Sequence, residues 1–180
     1  MIISISGLHG TGKSTLGKKL AEALGLNYYS TGKAFRDLAA EMNMTLEQFT
    51  KHVEYHPQID KELDNKVLEK AKKGDVVIDS QLAGYLLKDM ADFKILLTCP
   101  LETRVKRMIE RDQVSSKEKL KETNSREKSE LERFKNLYNI DLRDKKKAKK
   151  TYDLIIDTEN LSIEGVFNKM LNALKNSFKI

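Results

Sequence analysis

Short apolar runs alternate along the chain with stretches in which apolar residues recur every three or four positions. Ile2–Ser6 reads as a buried strand, and Lys13–Leu24 as a helix with Leu16, Leu20, Ala23 and Leu24 on one face. Gly25 suits a helix C-cap, and the short strand "LNYYS" follows it. Thr45-Leu46-Glu47-Gln48 has the form of a capping box, and Pro57 suits the first turn of a helix ending near Gly74. Asp75–Asp79, Phe93–Thr98 and Tyr152–Asp157 read as further strands, and Ile163–Phe178 as a closing amphipathic helix. The alternation predicts an α/β fold, a five-stranded parallel sheet flanked by helices in one domain. Ser115–Lys135 is helical in pattern but so charged that it is expected over solvent or a cleft, not against the sheet. The lysine cluster "DKKKAKK", Asp144–Lys150, is expected as a mobile exposed connection.

Composition narrows this picture. The chain has 180 residues, 39% hydrophobic and 33% charged, enough for one domain with a sizeable core. A single cysteine, Cys99 in "KILLTCP", excludes an internal disulfide framework and reads as a small buried hydrophobe at a strand end. No stretch approaches ~18 apolar residues, and no basic-then-apolar leader precedes the first strand. A soluble cytoplasmic protein with no membrane partner is expected, and a monomer. The net charge of +6 is uneven: residues 101–150 carry 17 Lys/Arg against 10 Asp/Glu, or +7, leaving the remainder at −1. Such an excess meets anionic ligands or forms a solvated face.

The candidate chemistry begins with "ISISGLHGTGKST", Ile3–Thr15. Gly7, four residues on to Gly12, then Lys13-Ser14, matches the phosphate-binding pattern G-x-x-x-x-G-K-[ST]. Gly7, Gly10 and Gly12 allow a tight turn with N–H groups toward phosphate oxygens, and the following helix adds its positive end. Gly7, Leu8, His9, Gly10, Thr11, Gly12, Lys13, Ser14 and Thr15 form the expected ATP-binding loop; Leu8 and His9 fill variable slots, so their side chains receive no role. Lys13 would reach the outer phosphates, and Ser14 would hold Mg2+.

Three further features fit that reading. "STGKAFRDLA" follows the second strand, so Ser30 and Thr31 would cap a helix carrying Arg36 in its first turns. Arg36 is placed to grip a phosphate by two parallel hydrogen bonds, although spacing alone reads equally as a capped helix with an exposed arginine. "VVIDS" closes a strand on Asp79, expected near the metal; a plain strand-ending turn is the alternative. Arg104, Arg107 and Arg111 share a helical face, and Arg126 and Arg133 follow. As a set they suit a charged flap closing over phosphates, while any one of them alone suits an ordinary surface ion pair.

Together "STGKAFRDLA", "IDSQLAGY", "LTCPLETRVKRMIERD" and "SREKSELERFKNLYNID" resemble the archaeal-type cytidylate kinases, collinearly from Met1 to about Asp144 and again at "YDLIIDT". The R-E-x-S-E-x-x-R-[FY]-K-x-x-Y-x-I-D run at Arg126–Asp141 is the more specific part, since many ATPases share the loop. The resemblance implies a P-loop kinase with a helical acceptor-binding region at about residues 32–73 and a mobile charged lid at about 112–143. It implies transfer of the γ-phosphoryl of Mg·ATP to CMP or dCMP. Lys13, Arg107, Arg126 and Arg133 would act at the transfer site. Ser30, Thr31, Arg36, Gln81 and Gly84 would bind the acceptor, and Ser14 and Asp79 the metal. The family commonly carries "GRLAG" where this chain has Ser80-Gln81-Leu82-Ala83-Gly84, so a neutral amide replaces an arginine. The "DKKKAKKTYD" connection is also more basic than usual. A kinase for AMP, UMP or a non-nucleotide is the neighbouring reading. A nucleotide-dependent RNA-binding or regulatory module is the distant one; nucleic acid is not expected.

Overall fold

The computed structural model describes residues 1–113 and 115–178; Val114, inside the expected lid range, lies outside them. In chain order the elements are β1 (Ile2–Ser6), α1 (Lys13–Leu24), β2 (Asn27–Ser30), α2 (Thr31–Glu41), α3 (Leu46–Glu54), α4 (Pro57–Lys72) and β3 (Val76–Asp79). Then come α5 (Ala83–Leu86), β4 (Phe93–Thr98), α6 (Leu101–Asp112), α7 (Ser116–Tyr138), α8 (Lys145–Thr151), β5 (Leu154–Asp157) and α9 (Ile163–Phe178). The strands form one parallel five-stranded sheet in the order β2-β3-β1-β4-β5. Among the described residues no helix is long and apolar enough to cross a membrane.

Both faces of the central strands are covered, so β3 is buried along its whole length and even Ser4 and Ser6 of β1 are fully buried. α1 and α9 bury Leu16, Leu20, Val166, Met170 and Leu174 against Ile3, Ile5 and Ile95. On the opposite face Val67 and Ala71 of α4 and Ala83 of α5 meet Val76 and Ile78. A separate cluster holds α2, α3 and α4 together through Phe35, Phe49, Val53 and Leu63.

Local signals act as expected at most ends. Gly25 caps α1 in the left-handed region. Thr45 and Gln48 complete a capping box at α3, and Pro57 stands in the first turn of α4.

Three expectations need correction. The buried stripe of α1 is Leu16, Gly17, Leu20 and Ala21, while Ala23 is exposed. A Cβ on Gly17 would stand 2.8 Å from the Tyr28 ring, so the helix approaches the sheet on its glycine side and turns Ala23 outward. The lysine cluster is helical: Asp144 caps α8 by accepting from the Lys146 and Lys147 amides, and Ala148 anchors it. Cys99 is only partly buried and accepts from Arg107 Nη1 at 3.5 Å.

Candidate active site

From β1 the chain crosses to β2 at one edge, steps back to β3, then passes over β1 to β4 and β5. The direction of travel reverses beside β1 and β3, and the carboxyl ends of strands at such a point open a crevice. Register does the fine placement: Asp79 lies level with Ile5 on one side and with Ser30 on the other. A cavity of about 570 Å³ opens here, lined by residues 9–16, the start of α2, Asp79–Leu82 and parts of α4, α6 and α7.

The loop after β1 is built from backbone. Gly10 has φ +78°, and a Cβ there would lie 2.7 Å from the Arg104 carbonyl oxygen, so no other residue fits. Gly12 caps α1 with no side-chain bond to its amides, leaving N–H groups at a positive helix end beside the cavity. Lys13 Nζ folds back to donate to Leu8 O at 3.0 Å. Desolvation holds its ammonium below the ordinary lysine range, against the opposing pull of Asp79, Glu130 and Glu127.

Asp79 Oδ2 is a hub. It accepts from Ser14 Oγ at 2.6 Å, Tyr28 OH at 2.9 Å and Ser30 Oγ at 3.1 Å. Burial first, and then the Asp79 charge, push the Tyr28 phenol up to about 12. Ser14 and Asp79 thus present adjacent hard oxygens. No cluster of three or more His, Cys, Asp or Glu side chains suited to a metal occurs among the described residues. This sparse oxygen set fits Mg2+, which takes one or two protein ligands and completes its shell with phosphate and water.

Helix α7 covers the cavity from the other side, packing on α6 and α3. It turns a buried polar stripe inward: Lys119, Thr123, Glu127, Ser129, Glu130 and Arg133. Glu130 Oε2 lies 2.7 Å from His9 Nε2 and accepts from Gln81 Nε2 at 2.7 Å, and Arg126 stands 3.4 Å from Oε1. Burial alone would raise this carboxyl; the His9 charge and hydrogen bond, with Arg126 and Gln81, outweigh it and hold Glu130 well below the usual range. One turn on, Arg133 Nε donates to Asp60 Oδ2 at 2.7 Å and Nη1 to Ser129 Oγ at 2.6 Å. Tyr138 OH donates to Asp64 Oδ2 at 2.6 Å, and burial pushes that carboxyl up to about 6. Arg104 pairs with Glu127 and donates to His9 O at 2.8 Å, tying α6, α7 and the loop together.

The expected site residues do not all reach the cavity. His9, Gly10, Thr11, Gly12, Lys13, Ser14, Thr15, Thr31, Arg36, Asp79, Gln81, Arg107, Arg126 and Arg133 line it. Gly7 and Leu8 border a smaller cavity of about 110 Å³ behind the loop. Ser30 is buried below the cavity, bonded to Asp79 and capping α2. Gly84 lies away from it, its amide donating to Ser6 Oγ at 3.0 Å. A Cβ on Gly84 would stand 2.2 Å from the Tyr152 ring, so this glycine serves packing. Arg107 is held by Thr158 Oγ1 and the Thr158 carbonyl at 3.0 and 2.6 Å. Arg133 is tied to Asp60 on the α4 side. Arg36, exposed at the rim, makes no ion pair among the described residues. Its pKa is lowered by desolvation and by the like charges of Arg111 and Arg126. Buried Thr31 Oγ1, Gln81 Oε1 and Arg126 Nε, all on cavity-lining residues, have no hydrogen-bond partner among the described residues.

The sequence reading left out His9's imidazole, Glu127, Glu130, Asp60 and Asp64. The two glutamates stand in the quoted run; for Glu130 the i+4 spacing from Arg126 is the available signal, whereas Glu127 has no arginine three or four residues away. Asp60 and Asp64 carry no signal beyond their own i,i+4 spacing on a helix.

Residues 2–160 match the cytidylate kinase-like family, and the chain belongs to that family. It is 44% identical over 167 residues to the cytidylate kinase of Pyrococcus horikoshii, covering 93% of this chain and 84% of that protein. It is 41% identical over 179 residues to the cytidylate kinase of Methanocaldococcus jannaschii, covering 98% of each. Among solved structures, shikimate kinase from Acinetobacter baumannii superimposes with a TM-score of 0.61 at 16% identity, over 98% of this chain and 94% of that one, and so shares the fold.

Proposed function

We propose that the chain is a nucleoside monophosphate kinase that moves the γ-phosphoryl of ATP to CMP or dCMP, giving ADP and the diphosphate. The observation that carries this reading is the convergence of two anion sites on one cavity: the loop with Lys13, and Arg36 with Arg111 and Arg126 at the rim. A simple ATPase needs only the first. Both cytidylate kinase relatives support the cytidine acceptor.

An oxygen of the acceptor phosphate attacks the γ-phosphorus while the bond to the β,γ-bridging oxygen breaks. No covalent intermediate is needed, because the acceptor is already anionic. The protein's task is to align two anions and offset their repulsion. The α1 amides and Lys13 bind the donor phosphates; Arg36, with the unpartnered Thr31 hydroxyl, binds the acceptor phosphate; Arg126 and Arg107 serve the transferring group. When bound by Ser14 and Asp79, Mg2+ neutralises charge on the donor phosphates. Residues 32–73 form the acceptor-binding region, and residues 112–143 the lid that excludes water.

The test is ADP formation from Mg·ATP with CMP, dCMP, UMP, AMP and GMP in turn and with no acceptor. Turnover with CMP and dCMP is expected. ADP released equally without an acceptor would overturn the kinase reading, and turnover confined to another base would overturn the cytidine acceptor.

A further inference from the structure

Helix α8 carries charge that the nucleotide site does not use. Its seven residues, Lys145–Thr151, include five lysines, all exposed and none in an ion pair among the described residues. The carboxylates around it are engaged: Asp144 by the Lys146 and Lys147 amides, Asp141 by Arg143 at 3.0 Å, and Asp153 by Lys94 at 3.3 Å. None of the five lysines lines the main cavity. A helix this short does not persist on propensity, and the like charges of Lys145 with Lys149 and of Lys146 with Lys150, at i,i+4, oppose it. The Asp144 cap and the burial of Ala148 and Tyr152 hold it regardless. At 3.6 residues per turn the lysines fan over about 200° of the helix, with Ala148 in the remaining arc, toward the core. The result is a fixed convex ridge of positive charge where the sequence suggested a mobile connection.

We infer that α8 is a docking surface for double-helical RNA, gripped through its phosphates without regard to base sequence. Over the length of α8, about 10 Å, a nucleic-acid duplex presents about six backbone charges, enough to engage every lysine. Other partners fit less well. Ala148 is the one apolar residue of the helix and is buried, so no apolar face is available to enter a bilayer. Protein interfaces centre on aromatic residues and arginine and are poor in lysine. No aromatic residue lies on α8 to stack unpaired bases, which favours paired strands over single ones. The choice of RNA over DNA rests on the kinase reading above. Hydrolysis of RNA to 5′-monophosphates is the class of reaction that supplies CMP, so an enzyme held on RNA stands where its acceptor is released.

The test combines Lys145→Gln, Lys146→Gln, Lys149→Gln and Lys150→Gln in one variant. Lys147 is kept because its ammonium stands 5.7 Å from the Tyr85 ring centre and donates to Asn139 O. A control variant replaces four exposed lysines elsewhere, Lys18, Lys106, Lys169 and Lys175, also by Gln, and so removes the same charge. Fluorescence anisotropy reads the affinity for a labelled RNA duplex of about 20 base pairs, between about 50 and 200 mM salt and with no nucleotide present. Wild-type affinity is expected to fall about 100-fold over that range, as about four phosphate contacts require. At about 100 mM salt the α8 variant is expected to bind at least tenfold more weakly and to lose most of the salt dependence, while the control stays within about threefold of wild type. The α8 variant should keep the wild-type kcat/KM for CMP, which shows its fold intact. Absence of wild-type binding, an equal loss in both variants, or tighter binding of a DNA duplex of the same sequence would overturn the inference and leave the kinase reading standing. Wild type without acceptor-dependent ADP formation would instead overturn the kinase reading, at unchanged RNA affinity.

Discussion

The two walls of the cavity are made differently. The loop wall is backbone: a glycine turn, helix amides and one lysine within a few consecutive residues. The α7 wall is side chains paired across large sequence distances, Arg104 with Glu127, Glu130 with His9 and Arg133 with Asp60. The first offers backbone amides and one cation through local geometry and owes its stability to the sheet beneath it. The second holds buried charges that are tolerable only while each keeps its partner. Removing a charge should therefore have opposite consequences on the two sides.

The largest effect is expected from Glu127→Ala, which strands the buried Arg104 guanidinium. Thermal or urea unfolding should show a loss of about 3–5 kcal/mol; a loss near that of an exposed ion pair would erase the distinction between the walls. Lys13→Ala should lower kcat/KM by about 100- to 1,000-fold, as expected for removing one preorganised cation. It should not lower the melting temperature, because desolvation already disfavours the Lys13 charge in the folded chain. A smaller effect is expected from Asp64→Asn, and it depends on pH. The folded carboxyl titrates near 6 and its ordinary value is 3.8. Between those values the folded state keeps a proton that the unfolded chain has released. The stabilisation from that proton is complete below about pH 3.8 and is lost as pH rises through 6. The variant should match wild type at pH 4 and exceed it at pH 8, by up to about 3 kcal/mol. Equal stability of the two proteins at pH 8 would show that Asp64 is solvated.

The same contrast explains what could be read from the sequence. The loop, the capping box at Thr45, Pro57 and the strand ending on Asp79 are each specified by neighbours a few residues apart. Arg36 was legible for the same reason, lying just past a strand end. The partners of Arg104 and Arg133 were not, because they sit 23 and 73 residues away and nothing local links them. Gly84 was misplaced because a glycine required by the Tyr152 ring looks, in sequence, like a glycine required by a ligand. The lysine run reads as an open connection because its composition outweighs Asp144, the one residue that caps it.

The polar underside of α7 also gives the cavity an unequal response to temperature. Hydration of charged groups becomes less favourable on heating, so the penalty for burying the Asp60–Arg133 and Arg104–Glu127 pairs shrinks. The Phe35–Phe49–Leu63 cluster beneath α2 and α3 gains no comparable advantage, because apolar stabilisation per unit area levels off. Warming should thus stabilise the polar α7 side of the cavity relative to the apolar cluster that joins α2, α3 and α4.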